Sequence, residues 1–213
     1  EVLSNMIMQA PNLEAIALWN TSYTGHDLNK LADLKSEKLS LRLSGSAIEN
    51  SAIEKLVLSG KSFQLLHLDE TMVSPGVGEW LGQLDVKSLR LHNTRIAPTD
   101  IDDSVLSGVT HLDISYCFGS DAWLNFLGGD SVFPNLVYLD LRGNYVGNQN
   151  VSDLVRLFPR LEVLLIRSDL SEVTEKVIPL LSQLRFLEYS DIPFLPSFVD
   201  PNGPLVTIPG QYD

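Results

Sequence analysis

One apolar pattern recurs along this chain at intervals of 23–27 residues, and it constrains the fold more than any other feature of the sequence. A regular copy has three apolar residues in the spacing i, i+3, i+5 and a small polar residue at i+8, and only the second copy (at Lys38) and the eighth (at Ile192) depart from this. The clearest copy has Leu136, Leu139, Leu141 and Asn144, with Val146 closing the unit. The eight copies begin at Leu13, Lys38, Phe63, Val86, Val109, Leu136, Leu161 and Leu184. Self-similarity at one period predicts an array of stacked units.

The Leu-x-Leu centre of each copy predicts a short strand with one buried face, because strand side chains alternate between two sides. Parallel strands need a crossover between them. The intervening segments carry apolar residues at helical spacing, which predicts helices on the opposite side of the array. These segments are Asp27–Leu34, Val77–Leu84, Asp121–Leu127, Val151–Phe158 and Thr174–Leu184.

Residues 136–146 read Leu-Val-Tyr-Leu-Asp-Leu-Arg-Gly-Asn-Tyr-Val, and this motif resembles the leucine-rich repeat family. The resemblance implies an α/β fold, a curved horseshoe-shaped solenoid of about eight repeats over residues 1–192, with parallel concave strands and convex helices. The small polar position is rich in Thr, Ser and Cys, which is similar to the longer intracellular repeats of F-box proteins and ribonuclease inhibitor. It holds Thr21, Ser46, Thr71, Thr94, Cys117, Asn144 and Asp169. We expect these short side chains to satisfy inward-turned backbone groups after each strand.

Both ends of the array depart from the pattern. Residues 2–8 resemble the helix that precedes Leu161, so we expect an earlier repeat before them and a longer parent chain or complex. The absence of an initial Met and of a signal-peptide pattern is consistent with a fragment or a processed product. Residues 193–213 contain five prolines and form either an irregular C-terminal cap or a linker, and their apolar residues favour a cap.

Composition excludes several classes of function. Lys and Arg number 15 against 27 Asp and Glu, a net charge of −12, which disfavours both nucleic-acid and membrane-surface binding. No apolar run approaches the roughly 20 residues of a bilayer span. The single cysteine, Cys117, rules out an internal disulfide.

Strand alternation indicates which side chains project from the concave face, where we expect a protein or peptide partner to bind. The candidate partner-binding residues are Trp19, Arg42, His67, Arg90, His92, Asp113, Tyr138, Asp140, Arg142, Val163, Leu165, Arg167 and Phe186.

Three features of this face allow two interpretations each. His67, His92 and His111 are either a metal or pH-sensitive site or ordinary contact residues, and their diagonal spread favours contact residues. Arg90 and Asp113 either pair across strands or mark a charge-split face that orients a partner. The apolar group of Tyr138, Val163, Leu165 and Phe186 is either the centre of an interface or covered by the C-terminal segment.

Catalytic signals are weak. The sequence has no phosphate-binding loop with a following Lys, no His-Glu-x-x-His and no Cys-x-x-Cys. Cys117 occupies an inward position, which favours a packing thiol over a nucleophile. The run Asp100, Asp102 and Asp103 lacks the glycine and glutamate of a calcium loop. We therefore expect neither enzymatic activity nor a metal or cofactor.

The preferred hypothesis is a non-catalytic protein-interaction module, in its most specific form the substrate-recognition part of a ubiquitin-ligase receptor or a similar adaptor. The alternative is an extracellular or pathogen-effector recognition domain that binds a host or surface ligand. The subclass resemblance favours the cytoplasm or nucleus. A secreted origin stays open, and glycans at Asn20 or Asn150, which each begin an acceptor motif that is also expected by chance, would favour it.

Overall fold

The computed structural model of the chain shows, in the residues that it describes, one sheet of eight parallel strands, ordered β1 to β8 along the sequence. It describes residues 2–74, 76–96, 106–117, 120–127, 133–166 and 173–189. The strands are β1 (Ala15–Ala17), β2 (Lys38–Arg42), β3 (Ser62–His67), β4 (Val86–Arg90), β5 (His111–Asp113), β6 (Tyr138–Asp140), β7 (Val163–Ile166) and β8 (Phe186–Tyr189). One strand per repeat confirms the predicted array.

The strand register follows the repeat frame. The central leucines align across the sheet: Leu41 lies opposite Leu66, and Leu66 opposite Leu89. One irregularity occurs where the second copy begins atypically at Lys38. There the pairing shifts between Leu39 and Ser40, so that β3 carries one additional residue. Such a bulge keeps the leucines inward on both sides of the insertion.

The crossovers are helical, but not all are α-helices. The α-helices are α1 (Val2–Gln9), α2 (Asn50–Leu58), α3 (Gly78–Leu81), α4 (Ser120–Leu127) and α5 (Asn148–Leu157). Segments Leu28–Asp33, Leu106–Gly108 and Glu175–Gln183 are 3-10 helices. Two of these, Leu28–Asp33 and Glu175–Gln183, fall in segments with apolar residues at helical spacing, and they form the tighter 3-10 helix rather than an α-helix. Pro179 lies inside the last of these, and its ring disfavours an α-helix there because it would clash with the carbonyl four residues earlier.

The core lies between the sheet and the crossovers. Inward strand leucines such as Leu41, Leu66 and Leu89 are buried together with Ile53 and Leu56 of α2. Aromatic rings join later repeats: Phe126 packs on Phe133, and Phe133 packs on Phe158, with ring centroids 6.2 and 6.5 Å apart. Each repeat therefore buries its apolar residues against its neighbours, as a solenoid requires.

The small polar positions from Ser46 to Asn144 hydrogen-bond to the backbone as predicted, whereas Thr21 is exposed and Asp169 lies outside the described residues. The Thr71 and Thr94 hydroxyls donate to the carbonyls of Leu68 and Leu91 at 2.7 and 2.8 Å. Asn144 Nδ2 donates to the Leu141 carbonyl in its own repeat and to the Ile114 carbonyl in the preceding one. These bonds satisfy carbonyls that the turn directs into the core.

Some predictions concern residues that the structure does not describe. Segment 193–213, with its choice between cap and linker, and Arg167 lie outside the described residues, so both stay predictions. Among the residues that the structure describes, no helix has the length and apolar character to cross a bilayer.

Candidate functional site: the concave face

The concave face consists of the outward side chains of β1 to β8 and of the residues that immediately follow these strands. The strand register aligns Arg42, His67, Arg90, Asp113 and Asp140 in one row across five strands. A second row of side chains lies just past the ends of the strands. Backbone hydrogen bonds between neighbouring repeats continue there, for example from the Glu70 N–H to the His92 carbonyl at 2.9 Å. The described candidates therefore share one face.

Arg90 joins two aspartates from neighbouring repeats. Its Nη2 lies 3.2 Å from Asp69 Oδ2, and its Nε lies 3.1 Å from Asp113 Oδ2. The Nε–H is not aligned for a hydrogen bond, so the contact with Asp113 is an ion pair. Asp113 Oδ1 accepts hydrogen bonds from both the backbone N–H and the hydroxyl of Ser115. The predicted pairing of Arg90 with Asp113 is confirmed.

Asp140 and Arg142 form a second charged pair. The Arg142 Nη2 lies 2.7 Å from Asp140 Oδ2, and its Nε donates at 3.0 Å to Asp140 Oδ1. The Arg142 backbone N–H donates to the same Oδ1. Asp140 is fully buried, whereas the Arg142 side chain keeps 17% of its surface exposed. The carboxylate thus lies beneath the guanidinium and fixes its direction.

Burial dominates the acid–base properties of this network. It raises the pKa of Asp69 to about 6, although the Arg90 charge acts in the opposite direction. Burial and the neighbouring Asp113 charge raise the pKa of Asp140. Burial, assisted by the charges of Arg90 and Arg42, lowers the pKa of His67 to about 3, so that this imidazole is neutral at pH 7. In the described part of the chain, Asp69 Oδ1 is buried and accepts no hydrogen bond.

The apolar candidates form a cluster separate from the main core. Tyr138, Val163 and Leu165 pack together with Phe186 at the side. His111 stacks on Tyr138 with ring centroids 5.7 Å apart. Leu165 is 1% exposed, and Tyr138 and Val163 are nearly as buried, so little of this cluster is accessible in the chain by itself. Its assignment as the centre of an interface stays a prediction.

Around the first two strands, the concave face is more exposed to solvent. Trp19, which follows β1, is 52% exposed. The guanidinium carbon of Arg42 lies 6.0 Å from the centroid of the Trp19 ring, a distance typical of a cation–π contact. The neighbouring concave positions hold the small residues Ala15, Ala17 and Ser44.

Comparison with solved structures identifies the architecture. The chain aligns with the crystal structure of an internalin (inlF) from Listeria monocytogenes str. 4b F2365, with a TM-score of 0.50 and 18% identity. The alignment covers 78% of this chain and 52% of the internalin. The fold is a leucine-rich repeat solenoid. A TLR13–ssRNA13 complex also aligns, with a TM-score of 0.45 and 16% identity over 84% of this chain and 36% of that one.

The match to the internalin is limited in both sequence identity and length. This solenoid spans about half the length of the internalin, at 18% identity, so the likeness concerns the fold. No protein-family model and no curated protein matches the chain. The subclass expectation, F-box-like or ribonuclease-inhibitor-like repeats, stays a prediction.

A second surface of the solenoid lies at the turns after the strands, and strand alternation alone does not indicate it. Tyr116 has φ +56°, a left-handed conformation that bulky residues rarely adopt. Its ring lies over Gly143, meets the edge of His92 with centroids 5.4 Å apart, and leaves the side chain 52% exposed. Met72 and Tyr145 are also exposed at turns along this edge.

A signal for this surface was present in the repeat pattern. The residue before each small polar position has a positive φ in six successive repeats: Asn20, Gly45, Glu70, Asn93, Tyr116 and Gly143. Asn and Gly suit that conformation, and an aromatic residue there is unusual. Alignment of this position across repeats could therefore have singled out Tyr116.

The remaining reactive groups have structural partners. His92 Nδ1 pairs with Ser115 Oγ at 2.7 Å, and His111 Nδ1 with Thr110 Oγ1 at 2.9 Å. The Cys117 thiol is buried, lies 3.1 Å from the Leu91 carbonyl, and has its pKa raised to about 11 by burial. Across the described ranges, no group of three or more His, Cys, Asp or Glu could hold a metal ion.

Proposed function

We propose that this solenoid is a non-catalytic binding module that takes a protein or peptide across its concave face. The observation that carries this proposal is the charged network. Asp69, Asp113 and Asp140 are buried on a sheet face, where apolar residues of similar size would cost less desolvation. Buried ion pairs add little to stability, so their placement favours a role in recognition.

The arrangement suits contact with hydrogen-bond acceptors. Arg90 and Arg142 retain 28% and 17% exposure of their side chains, while the aspartates beneath them are almost inaccessible. A ligand would therefore contact the guanidinium groups, and the aspartates hold those groups in place. Preorganised donors lower the entropy that binding costs. Carbonyl and carboxylate oxygens of a polypeptide are fitting acceptors.

The test is affinity capture from source-cell extract with two matched variants. Trp19→Ala removes an exposed ring from the concave face, and Leu58→Ala removes an exposed side chain, 66% accessible, from α2 on the opposite side. We expect a protein captured by the native chain to be lost with Trp19→Ala and retained with Leu58→Ala. The reverse pattern would move the binding surface to the convex side and contradict the proposal.

In its more specific form, the proposal places the chain in the substrate-recognition part of a ubiquitin-ligase receptor or similar adaptor in the cytoplasm or nucleus. The buried, free Cys117 among the Thr and Ser positions supports this form. Co-purification of ligase subunits with the tagged parent protein would agree with it. Glycan-bearing peptides that contain Asn20 or Asn150 would instead favour an extracellular recognition domain.

A further inference from the structure

The geometry points to a carboxylate-binding anchor at Arg42 and Trp19, which receives an acidic side chain of a peptide ligand. This inference rests on the proposed function and specifies its partner chemistry. It concerns the first two strands of the concave face, where the ring of Trp19 is half exposed and Arg42 lies against it.

The three arginines described on this face differ in how their charge is neutralised. Arg90 contacts Asp69 and Asp113, and Arg142 donates to both oxygens of Asp140. Arg42 contacts the Trp19 ring, and in the described part of the chain no carboxylate pairs with it. Arg42 is therefore the arginine of this face whose donors are available for a carboxylate from outside.

The described carboxylate near Arg42 in the register is Asp69, which follows β3 beside Gly45 and is paired with Arg90 instead. The adjacent concave positions on β1 and after β2 are Ala17 and Ser44. The next residue in the same row is His67, which is neutral because burial and the nearby arginines lower its pKa to about 3. Arg42 is itself half-buried, so its charge is less screened than that of a fully exposed side chain.

An acidic peptide fits the anchor at Arg42 and Trp19 better than a polyanion does. One guanidinium matches one carboxylate, whereas a nucleic acid needs several clustered cations. The exposed face of Trp19 and the small Ala15 and Ala17 leave room for an apolar side chain beside the acid. The ligand motif is thus an acidic residue next to an apolar one.

The probe is a phage-displayed library of random peptides panned on the native chain, on Arg42→Gln and on Arg156→Gln. Arg156 is an exposed arginine of α5 on the convex side and is the matched control. Circular dichroism first establishes that all three chains are folded. We expect the native chain and the control to select peptides enriched in Asp or Glu, and Arg42→Gln to lose this enrichment.

A selected peptide then enters a double-mutant cycle. Replacement of its acid by the amide, or Arg42→Gln in the chain, weakens binding about ten- to hundredfold, the range of a charge-assisted hydrogen bond. The two changes together cost little more than either one, because they remove the same contact. A structural role of Arg42 would instead leave the two losses additive.

Three results would overturn the inference. Selected peptides that bind Arg42→Gln as tightly as the native chain would remove the anchor and leave the proposed function intact. Failure to select any peptide would count against both. Binding of a 20-residue oligodeoxythymidine, lost with Arg42→Gln, would replace the acidic peptide by a nucleic acid.

Discussion

Replacement of Asp69 by Asn tests whether burial, rather than the ion pair with Arg90, controls the charged network. The Asp69 side chain is 12% exposed and lies 3.2 Å from the Arg90 guanidinium. Burial disfavours the carboxylate, and Arg90 favours it. If burial prevails, the folded pKa rises to about 6 from 3.8 for the unperturbed group.

The sign and size of the effect follow from that difference. Between about pH 3.8 and about pH 6, the folded chain keeps a proton on Asp69 that the unfolded chain has released. Stability therefore falls as the pH rises through this window. The pKa difference corresponds to about 3 kcal/mol, lost in full above the folded pKa. The amide of the variant does not titrate, so Asp69→Asn should gain stability relative to the native chain by up to about 3 kcal/mol as the pH rises from about 4 to 7.

The assay is urea unfolding of both chains at half-unit steps across this pH range. Only the difference between the chains is interpreted, because every other titrating group is common to both. A parallel profile for Asp69→Asn would refute the reasoning, and a difference of opposite sign would show that Arg90 outweighs burial.

Three further predictions concern the turns and the interior. Gly143→Ala should lower the free energy of unfolding by more than about 1 kcal/mol, because φ is +74° and the new methyl would overlap the Tyr116 ring. Thr94→Val should cost about 0.5–1.5 kcal/mol, because it removes one hydrogen bond to the Leu91 carbonyl, which keeps the Thr94 backbone N–H and the Cys117 thiol as donors. Both are measured by urea unfolding. Cys117 should react with a thiol reagent at pH 8 far more slowly in the folded chain than in urea, because it is buried and its pKa is about 11.

Matched changes control these experiments. Gly60 has φ +64° but nothing lies within 4 Å of the position that an added methyl would take, so Gly60→Ala measures the backbone strain without the overlap. An equal loss at Gly60 and Gly143 would contradict the role assigned to the Tyr116 ring. The Thr110 hydroxyl is exposed, and Thr110→Val should change stability little. Equal thiol reactivity in the folded and unfolded chains would show that Cys117 is accessible.

The repeat frame was sufficient to predict the strand register. Inward leucines such as Leu89 and Leu112 pair as their shared phase requires, because a one-residue slip would turn every buried side chain outward. The type of each crossover was less predictable. Apolar spacing alone does not separate an α-helix from a 3-10 helix when the segment is short, and Glu175–Gln183 is the tighter form.

The direction of the concave side chains was predictable, but their burial was not. Alternation places Asp140 and Leu165 on the concave face, and the register confirms that they are neighbours. Their exposures of 0% and 1% depend on which other groups lie over them. Arg142 lies over Asp140, a contact set by side-chain rotamers rather than by spacing in the sequence. Tyr116 was not predicted because strand alternation carries no information about the turns.

The two ends of the concave face differ in whether their charged side chains are paired. Toward its end, Asp140 is paired with Arg142, and the cluster of Tyr138 and Leu165 is nearly inaccessible. At its start, the exposed Trp19 accompanies a cation without a carboxylate partner among the described residues. A bound acidic peptide would therefore gain most at the first two strands and be repelled by any aspartate that the arginines leave uncovered. Such an asymmetry fixes the orientation of a ligand more than it adds to affinity, which is the property a recognition surface needs.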